Sequence, residues 1–488
     1  MMIDVLLTHS YFMFFDPKQE KAMTPYPPLG TLYAASFLEK DGLSVRLFDT
    51  MLARREDDIR ASLEEYRPSV VVFYDDDFNY LNKMCLSRMR EATFTMTAIA
   101  KEYEAFVIVH SSDAADHVQE YLNHGADVII IGEGEFTLRD VCRKVLRDKT
   151  DDFNGIPGVA FSKDGTVFRS PRRAVVKNLD ELPFPAWHLV DVDKYKAAWA
   201  HRHGHYSMNM VTTRGCPFHC NWCAKPIYGQ VYNSRSPQNV IEEIKVLQRT
   251  IRPDHIWFAD DIFGLKPGWI QAFAGLIEKE NISIRYKIQS RVDLLLEPGT
   301  IRALAGSGCS EVWVGAESGS QKVLDAMEKG TKVGQIYEAR RLLQQYGIKT
   351  SFFLQFGYLG ETKDDIRATI RMVKELMPDD IGISISYPLP GTKFYENVKA
   401  GMKEKQNWID SDDLALMFHG TFSPAYYKQL HRYVHKVYRF RKGLFTLWRL
   451  LTLKATFGWT HIRQVVLLMY YGPGILIDRC KLVYYQLA

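Results

Sequence analysis

Cys216, Cys220 and Cys223 stand in the run Gly215-Cys216-Pro217-Phe218-His219-Cys220-Asn221-Trp222-Cys223, a Cys-x3-Cys-x2-Cys spacing. Three thiolates this close on one loop can hold three irons of a cubane 4Fe–4S cluster, and soft sulfur ligands suit that chemistry. Such a cluster normally takes four cysteines, so the fourth iron stays open to a small molecule. A zinc site would want a fourth Cys or His; His219 is at hand, but it lies inside the loop. A disulfide accommodates three clustered thiols poorly. The remaining cysteines, Cys85, Cys142, Cys309 and Cys480, are scattered and read as small buried hydrophobes.

The elements that position this loop follow from hydrophobic pattern. With 488 residues, 46% hydrophobic and 25% charged, the chain is an ordinary globular one of two to three domains. Seven cysteines are too few for a disulfide scaffold, and a cluster iron fits a reducing, cytoplasmic setting. Met1-Met2-Ile3-Asp4 leads straight into a strand-like run, so no secretory leader is expected, and no apolar run is long enough for a membrane span.

Short branched runs at 3–7, 44–48, 69–73, 106–109 and 128–131, with a helix at 30–40, predict a Rossmann-like doubly wound parallel sheet over residues 1–145. No Gly-x-Gly-x-x-Gly follows the first run, which argues against a nicotinamide dinucleotide. Ligands of such sheets sit beyond the carboxyl ends of the strands, here Thr8-His9-Ser10, Tyr74-Asp75-Asp76-Asp77, His110-Ser111-Ser112-Asp113 and Gly132-Glu133-Gly134-Glu135. The acidic run 75–77 reads as a solvated loop in preference to a polar ligand shelf. Residues 146–204 read as a small hairpin (158–173) and a Pro-rich linker, Asp180-Glu181-Leu182-Pro183-Phe184-Pro185-Ala186-Trp187. Six further strands, at 208–212, 255–259, 285–289, 311–315, 350–356 and 382–387, predict a partial (β/α)6, TIM-like barrel over residues 205–400, with chemistry gathered at the carboxyl ends.

The cysteine run, with aromatic Trp222 before the last cysteine, resembles the radical S-adenosylmethionine (SAM) superfamily. The resemblance implies that the amino and carboxylate groups of SAM chelate the open iron, and that an electron from the cluster cleaves SAM to a 5′-deoxyadenosyl radical. Ile131-Gly132-Glu133-Gly134-Glu135-Phe136-Thr137 and Pro25-Tyr26-Pro27-Pro28-Leu29-Gly30 resemble the cobalamin-binding domain that often precedes a radical SAM domain, which implies cobalamin contacts from Ser111, Ser112, Gly132 and Glu133. No Asp-x-His-x-x-Gly motif is present, and His110, His117 and His124 all lack an Asp two residues earlier. His110-Ser111-Ser112-Asp113 also stands where the family is often glycine-rich. The alternative is a degenerate cobalamin domain used for substrate docking or dimerisation.

In the barrel the resemblance implies that Asp260 and Asp261 receive the SAM amino group, although one of them reads equally as a helix cap. Arg291 would pair with the SAM carboxylate or form a surface salt bridge. Glu317 and Ser318, within Gly315-Ala316-Glu317-Ser318-Gly319-Ser320, would reach the ribose hydroxyls or the methionine moiety, and the Gly357 backbone would approach adenine. The resemblance spans about residues 1–400.

Residues 401–488 match no family. From Thr421 to Ala488 eleven Lys or Arg face a single acid, Asp478, so the basic balance of the chain lies at this end, amid aromatics. Amphipathic helices are expected there: a helical cap with core aromatics, a surface lying on an anionic membrane, or a cover over an apolar substrate. Nucleic acid is not expected as a partner.

The expected function is a cobalamin-dependent radical SAM enzyme that methylates an unactivated carbon of a small-molecule, lipid or tetrapyrrole-like substrate. Flavodoxin or ferredoxin would supply electrons. A radical SAM cyclase or another non-methylating outcome is the alternative. A non-catalytic binding module with a redox cluster fits the SAM-contacting segments poorly. Residence in the cytoplasm with peripheral membrane contact through the C-terminal region completes the expectation.

Overall fold

The computed structural model describes residues 2–225, 227–452 and 458–487. The first sheet comprises β1 (Val5–Thr8), β2 (Val45–Phe48), β3 (Val70–Tyr74), β4 (Phe106–His110), β5 (Val128–Ile130), β6 (Val159–Lys163) and β7 (Thr166–Arg169), in the order β2-β1-β3-β4-β5-β6-β7. The strands β1 to β5 run parallel. Alternate side chains feed two cores: Leu6, Val71 and Val107 pack on one face, Val5, Val70, Val72 and Ile108 on the other. Burial on both faces explains why the strands read as unbroken apolar runs.

The hairpin of residues 158–173 does not stand apart in the linker. It joins the sheet as β6, antiparallel to β5, and β7, antiparallel to β6, so that the otherwise unpaired edge of β5 is satisfied.

The second sheet uses β8 (Ser207–Met210), β11 (His255–Phe258), β12 (Tyr286–Ser290), β13 (Cys309–Glu317), β14 (Lys349–Phe356) and β15 (Asp380–Ile385). All are parallel and in chain order, with helices such as Pro237–Thr250, Trp269–Lys279 and Val333–Gln345 between them. A two-stranded ribbon of β9 (Thr213–Arg214) and β10 (Asn233–Ser234) flanks the cysteine loop. Strands β8 and β15 do not pair, which makes this a half-barrel. The whole is an α/β fold with a doubly wound sheet, a partial barrel and a helical C-terminal region.

The two units are laced together. Asn209 Nδ2 donates to the Pro27 carbonyl at 2.9 Å, Trp199 Nε1 to that of Pro25 at 2.7 Å and Ala186 N to that of Leu32 at 3.1 Å. Beyond the barrel, helix Pro424–Leu451 starts with a Ser423 cap and Pro424 in its first turn. Its Tyr426, Tyr427, Leu430, Val434 and Tyr438 enter the barrel core, so the core reading of the aromatics holds for its first half. Helices Trp459–Val466 and Leu468–Leu487 follow. Among the described residues no helix is long and apolar enough to cross a membrane.

Candidate active site

The cysteine loop leaves the carboxyl end of β8 and is held at several points. Asp260, just past β11, accepts hydrogen bonds from Thr212 N (2.7 Å) and Oγ1 (2.7 Å) and from Thr213 N (2.8 Å) and Oγ1 (3.0 Å). Burial pushes its carboxyl up to about 6, against the opposing pull of those four donors. With its oxygens used this way, Asp260 shapes the entry to the loop. Asp261 is partly exposed and pairs with Lys83 of the first unit at 2.8 Å.

Gly215 has φ +79°, and a Cβ there would overlap the Val231 carbonyl oxygen. Gly215→Ala should therefore displace the loop: left-handed backbone alone costs an L-residue about 1–2 kcal/mol, before the clash. The expected outcome is a folded protein that retains less than half the iron of the parent after reconstitution, read by iron and sulfide analysis.

Asn221, inside the cysteine run, braces the loop's far side. Its N donates to the Met327 carbonyl (3.1 Å), its Nδ2 to that of Ala326 (2.8 Å), and its Oδ1 accepts from the Tyr358 hydroxyl (2.9 Å). Its own carbonyl receives Phe394 N at 2.9 Å. One residue thus ties the loop to segments following β13, β14 and β15. Nothing in its type or position singled Asn221 out beforehand.

The three thiols form no disulfide. Burial raises the Cys216 thiol and pushes Cys223 up to about 12, while the Lys225 ammonium opposes both shifts. Further cations ring the loop. Arg291 lies 3.7 Å over the Phe218 ring, 3.8 Å from Cys220 Sγ, and is held by Asp293 through two 3.0 Å bonds. Lys329 pairs with Glu317 at 2.8 Å and sits 5.9 Å from the Trp222 ring. Among the described residues no three Cys, His, Asp or Glu side chains converge tightly enough for a single metal ion. The fit to a multi-iron cluster rests on the donor chemistry: three thiols on one loop, none in a disulfide, soft donors of the kind that hold iron–sulfur clusters.

Glu317 is buried in the left-handed region, φ +55°, an uncommon state for a residue with a side chain. Ser318 is committed to structure, with Oγ 3.0 Å from Thr369 Oγ1 and accepting from Ser320 N at 3.1 Å. Gly357, at φ +79°, packs against Ile385, Leu416 and Tyr427, and its N donates to Glu361 at 2.7 Å. Burial pushes the Glu361 carboxyl up to about 8, and its second oxygen is buried without a partner. It is an acceptor that sequence reading passed over.

The carboxyl edge of the first sheet faces the same loop. Arg214, immediately before Gly215-Cys216, is clamped by Glu133 and by Glu135 (2.6 Å), all three buried. Tyr33, Tyr228 and Phe78 enclose its guanidinium. Both Glu133 oxygens are engaged, the second by Val176 N at 2.6 Å. Ser111 caps the short helix that follows β4, accepting from Ala114 N at 2.9 Å; Ser112 is buried. Gly132, at φ +84°, accepts from His110 Nε2 at 2.8 Å.

The run 75–77 is not solvated: all three aspartates are buried. Asp75 holds Ser10 (2.8 and 2.9 Å), and Asp76 holds Gly30 N (2.9 Å) and Phe78 N (3.1 Å). Along this edge Thr8 Oγ1, the Tyr74 hydroxyl, both Asn82 side-chain polar atoms, His110 Nδ1 and Glu135 Oε2 are buried without hydrogen-bond partners. Unmet buried polar groups are rare. Their concentration where doubly wound sheets hold ligands fits a bound polar group such as cobalamin.

Against known proteins, residues 210–373 match the model of the radical SAM superfamily. The chain is 28% identical to an uncharacterized methyltransferase of Pyrococcus horikoshii, over 76% of this chain and 78% of that protein. It is 24% identical to the anaerobic magnesium-protoporphyrin IX monomethyl ester cyclase of Rubrivivax gelatinosus, over 79% and 69%. In three dimensions it resembles OxsB, a cobalamin-dependent SAM radical enzyme solved with aqua-cobalamin: TM-score 0.71, 18% identity, 99% of this chain and 72% of that one.

Proposed function

We propose, from the match of residues 210–373 to the radical SAM superfamily, that the chain is a cobalamin-dependent radical SAM enzyme that methylates an unactivated carbon. Cys216, Cys220 and Cys223 would hold the 4Fe–4S cluster, the barrel face bearing Arg291, Glu317, Gly357 and Glu361 would receive SAM, and the edge carrying Ser112, Gly132 and His110 would receive cobalamin. When bound, these groups supply a 5′-deoxyadenosyl radical and a transferable methyl group.

The chain's own residues do the rest. Asp260, Gly215 and Asn221 fix the loop, and the Arg214 clamp brings the first sheet's carboxyl edge against it. Buried aromatics around Arg214 exclude water. Arg291 and Lys329 offset negative charge on the thiolates. The observation that carries the reading is the unpaired three-thiol loop, held at a strand end and ringed by cations.

The substrate class we propose is a tetrapyrrole, lipid-like or other small molecule, supported at the coarse level by a relative named for a porphyrin ester. Flavodoxin or ferredoxin would deliver the electron. The enzyme would work in the cytoplasm with peripheral membrane contact through its C-terminal helices. Cyclisation is the second reading, favoured by the similarity to the Rubrivivax cyclase.

Anaerobic reconstitution with iron, sulfide and cobalamin tests the proposal. About four irons and about one cobalt per chain, with 5′-deoxyadenosine released under reduction, are expected. Iron without cobalt would remove methyl transfer through cobalamin. A product lacking the added methylene would favour the cyclase reading.

A further inference from the structure

The second half of helix Pro424–Leu451 leaves the barrel behind. Near its start Tyr427 packs beside Gly357, at the carboxyl end of β14. Fifteen residues on, Lys442 Nζ donates to the Asp379 carbonyl at 2.6 Å, and the Tyr438 hydroxyl donates to the same oxygen at 2.7 Å. Asp379 immediately precedes β15, and its N donates to Thr350 at the start of β14. The helix therefore runs from the carboxyl face of the half-barrel to its amino face. At 1.5 Å per residue, the stretch from Lys442 to Leu451 extends about 13 Å farther.

Helix Leu468–Leu487 returns antiparallel to it. A Cβ at Gly443 would lie 2.8 Å from Leu468, one at Gly472 3.4 Å from the Phe440 ring, and Asp478 pairs with Lys436 at 2.8 Å. The projecting tip is apolar and open. Phe445 is 55% exposed, Leu451 75%, Met469 76% and Tyr470 62%. Phe445 and Trp448 stack at 5.8 Å. Leu444, Trp448 and Leu451 share one helical face by spacing, as do Ile462 and Val466. Among the described residues, eight of the nineteen exposed large hydrophobics fall between 444 and 470, which makes this a patch and not scattered exposure.

Charge decides what covers it. Residues 421–488 carry eleven Lys or Arg against one acid, and that acid is spent on Lys436. Two copies meeting tip to tip would bring like charges together. The same barrel face adds Arg285, Lys287 and Lys349 around an open cavity of about 280 Å³, against two carboxylates, Asp254 and Glu311, that accept from Tyr206 N and the Ser351 hydroxyl. Arg285 and Lys349 are exposed, and neither forms an ion pair among the described residues.

From this we infer that the tip of the C-terminal helices, with the basic amino face of the half-barrel beside it, is a docking surface for an anionic lipid bilayer. Apolar side chains enter the acyl boundary and cations meet the headgroups, as in interfacial amphipathic helices. The inference rests on the peripheral contact proposed above and gives it a site. It also orients the molecule: the cysteine loop opens on the opposite, water-facing side, so the surface is a tether and does not form the catalytic mouth.

Vesicle flotation of the full-length reconstituted protein tests this, comparing phosphatidylglycerol–phosphatidylcholine vesicles with phosphatidylcholine alone. Binding to the anionic vesicles is expected, weakened by salt, and reduced about tenfold or more by the double substitution Phe445→Ser/Trp448→Ser. Leu451→Ser, at the exposed helix end, should weaken binding in the same direction without touching the fold.

Iron content and SAM cleavage are measured on the same samples. Retained SAM cleavage without vesicle binding would overturn the docking surface alone, and vesicle binding without SAM cleavage would overturn the catalytic reading alone. Vesicle binding indifferent to all three substitutions, or a wild-type dimer that Phe445→Ser/Trp448→Ser converts to monomer, would also overturn the docking surface.

Discussion

Alanine at any one of Cys216, Cys220 or Cys223 is expected to bring reductive SAM cleavage to background, a fall of about a thousandfold or more, with the triple variant no worse than a single one. Ligands of one cluster act as a unit, so the first loss removes most of what all three provide. No replacement donor stands ready, because the other cysteines lie far along the chain and Cys85, Cys142 and Cys309 are buried. The fold should be almost untouched. Cys220 and Cys223 are only partly buried on a loop, and the loop's braces run through Asp260, Gly215 and Asn221. Two measurements check this together: 5′-deoxyadenosine yield under reduction, which should vanish, and the midpoint of denaturant unfolding of the metal-free protein, which should move little. A variant that kept stoichiometric iron and full cleavage would remove these cysteines from the active site.

Arg214→Met is expected to cost about 3–5 kcal/mol in unfolding free energy, the usual penalty for removing one partner from a buried charge pair. Arg214 is 3% exposed, Glu133 4% and Glu135 2%, so its loss strands two carboxylates away from water. Burial already raises the Glu133 carboxyl, and Arg214 is the chief group holding it down. Without Arg214, Glu133 should bind a proton far more readily in the folded than in the unfolded state. A carboxyl raised on folding contributes stability at low pH that is lost as pH climbs through its folded value. The variant's deficit should therefore shrink as pH falls from about 8 to about 5.

Adding Glu133→Gln and Glu135→Gln should restore much of the loss, since a neutral set avoids burying unpaired charge. Because Arg214 also leads directly into Gly215-Cys216, Arg214→Met should retain less iron after reconstitution. Denaturant unfolding across pH, with iron analysis, reads all of these effects.

How much of this was legible beforehand depends on the range of the interaction. The thiol triad is a matter of sequence alone: three sulfurs within eight residues must share one loop, whatever surrounds it. The strands were equally local. Apolar runs buried on both faces announce a parallel sheet, and each of the eleven expected strands, five in the first sheet and six in the half-barrel, appears within a few residues of its expected bounds.

What could not be read was the destination of each polar group. Asp260 stood out as a carboxylate near the site, yet its oxygens bind Thr212 and Thr213, 48 and 47 residues earlier. Ser318 turns to Thr369. Glu133 looked like a ligand contact and is clamped to Arg214, 81 residues away. The run 75–77 looked like solvated charge and is buried. Asn221 and Glu361 gave no signal.

Sequence by itself determined the cluster loop, the strand periodicity and the basic balance of the C-terminal helices, because spacing, alternation and composition act between near neighbours. Only tertiary structure decided which carboxylates brace the protein and which remain available, and which aromatics of the last helices join the core. A buried charge must find its partner wherever the fold brings one, and an apolar side chain is covered only if another element happens to reach it.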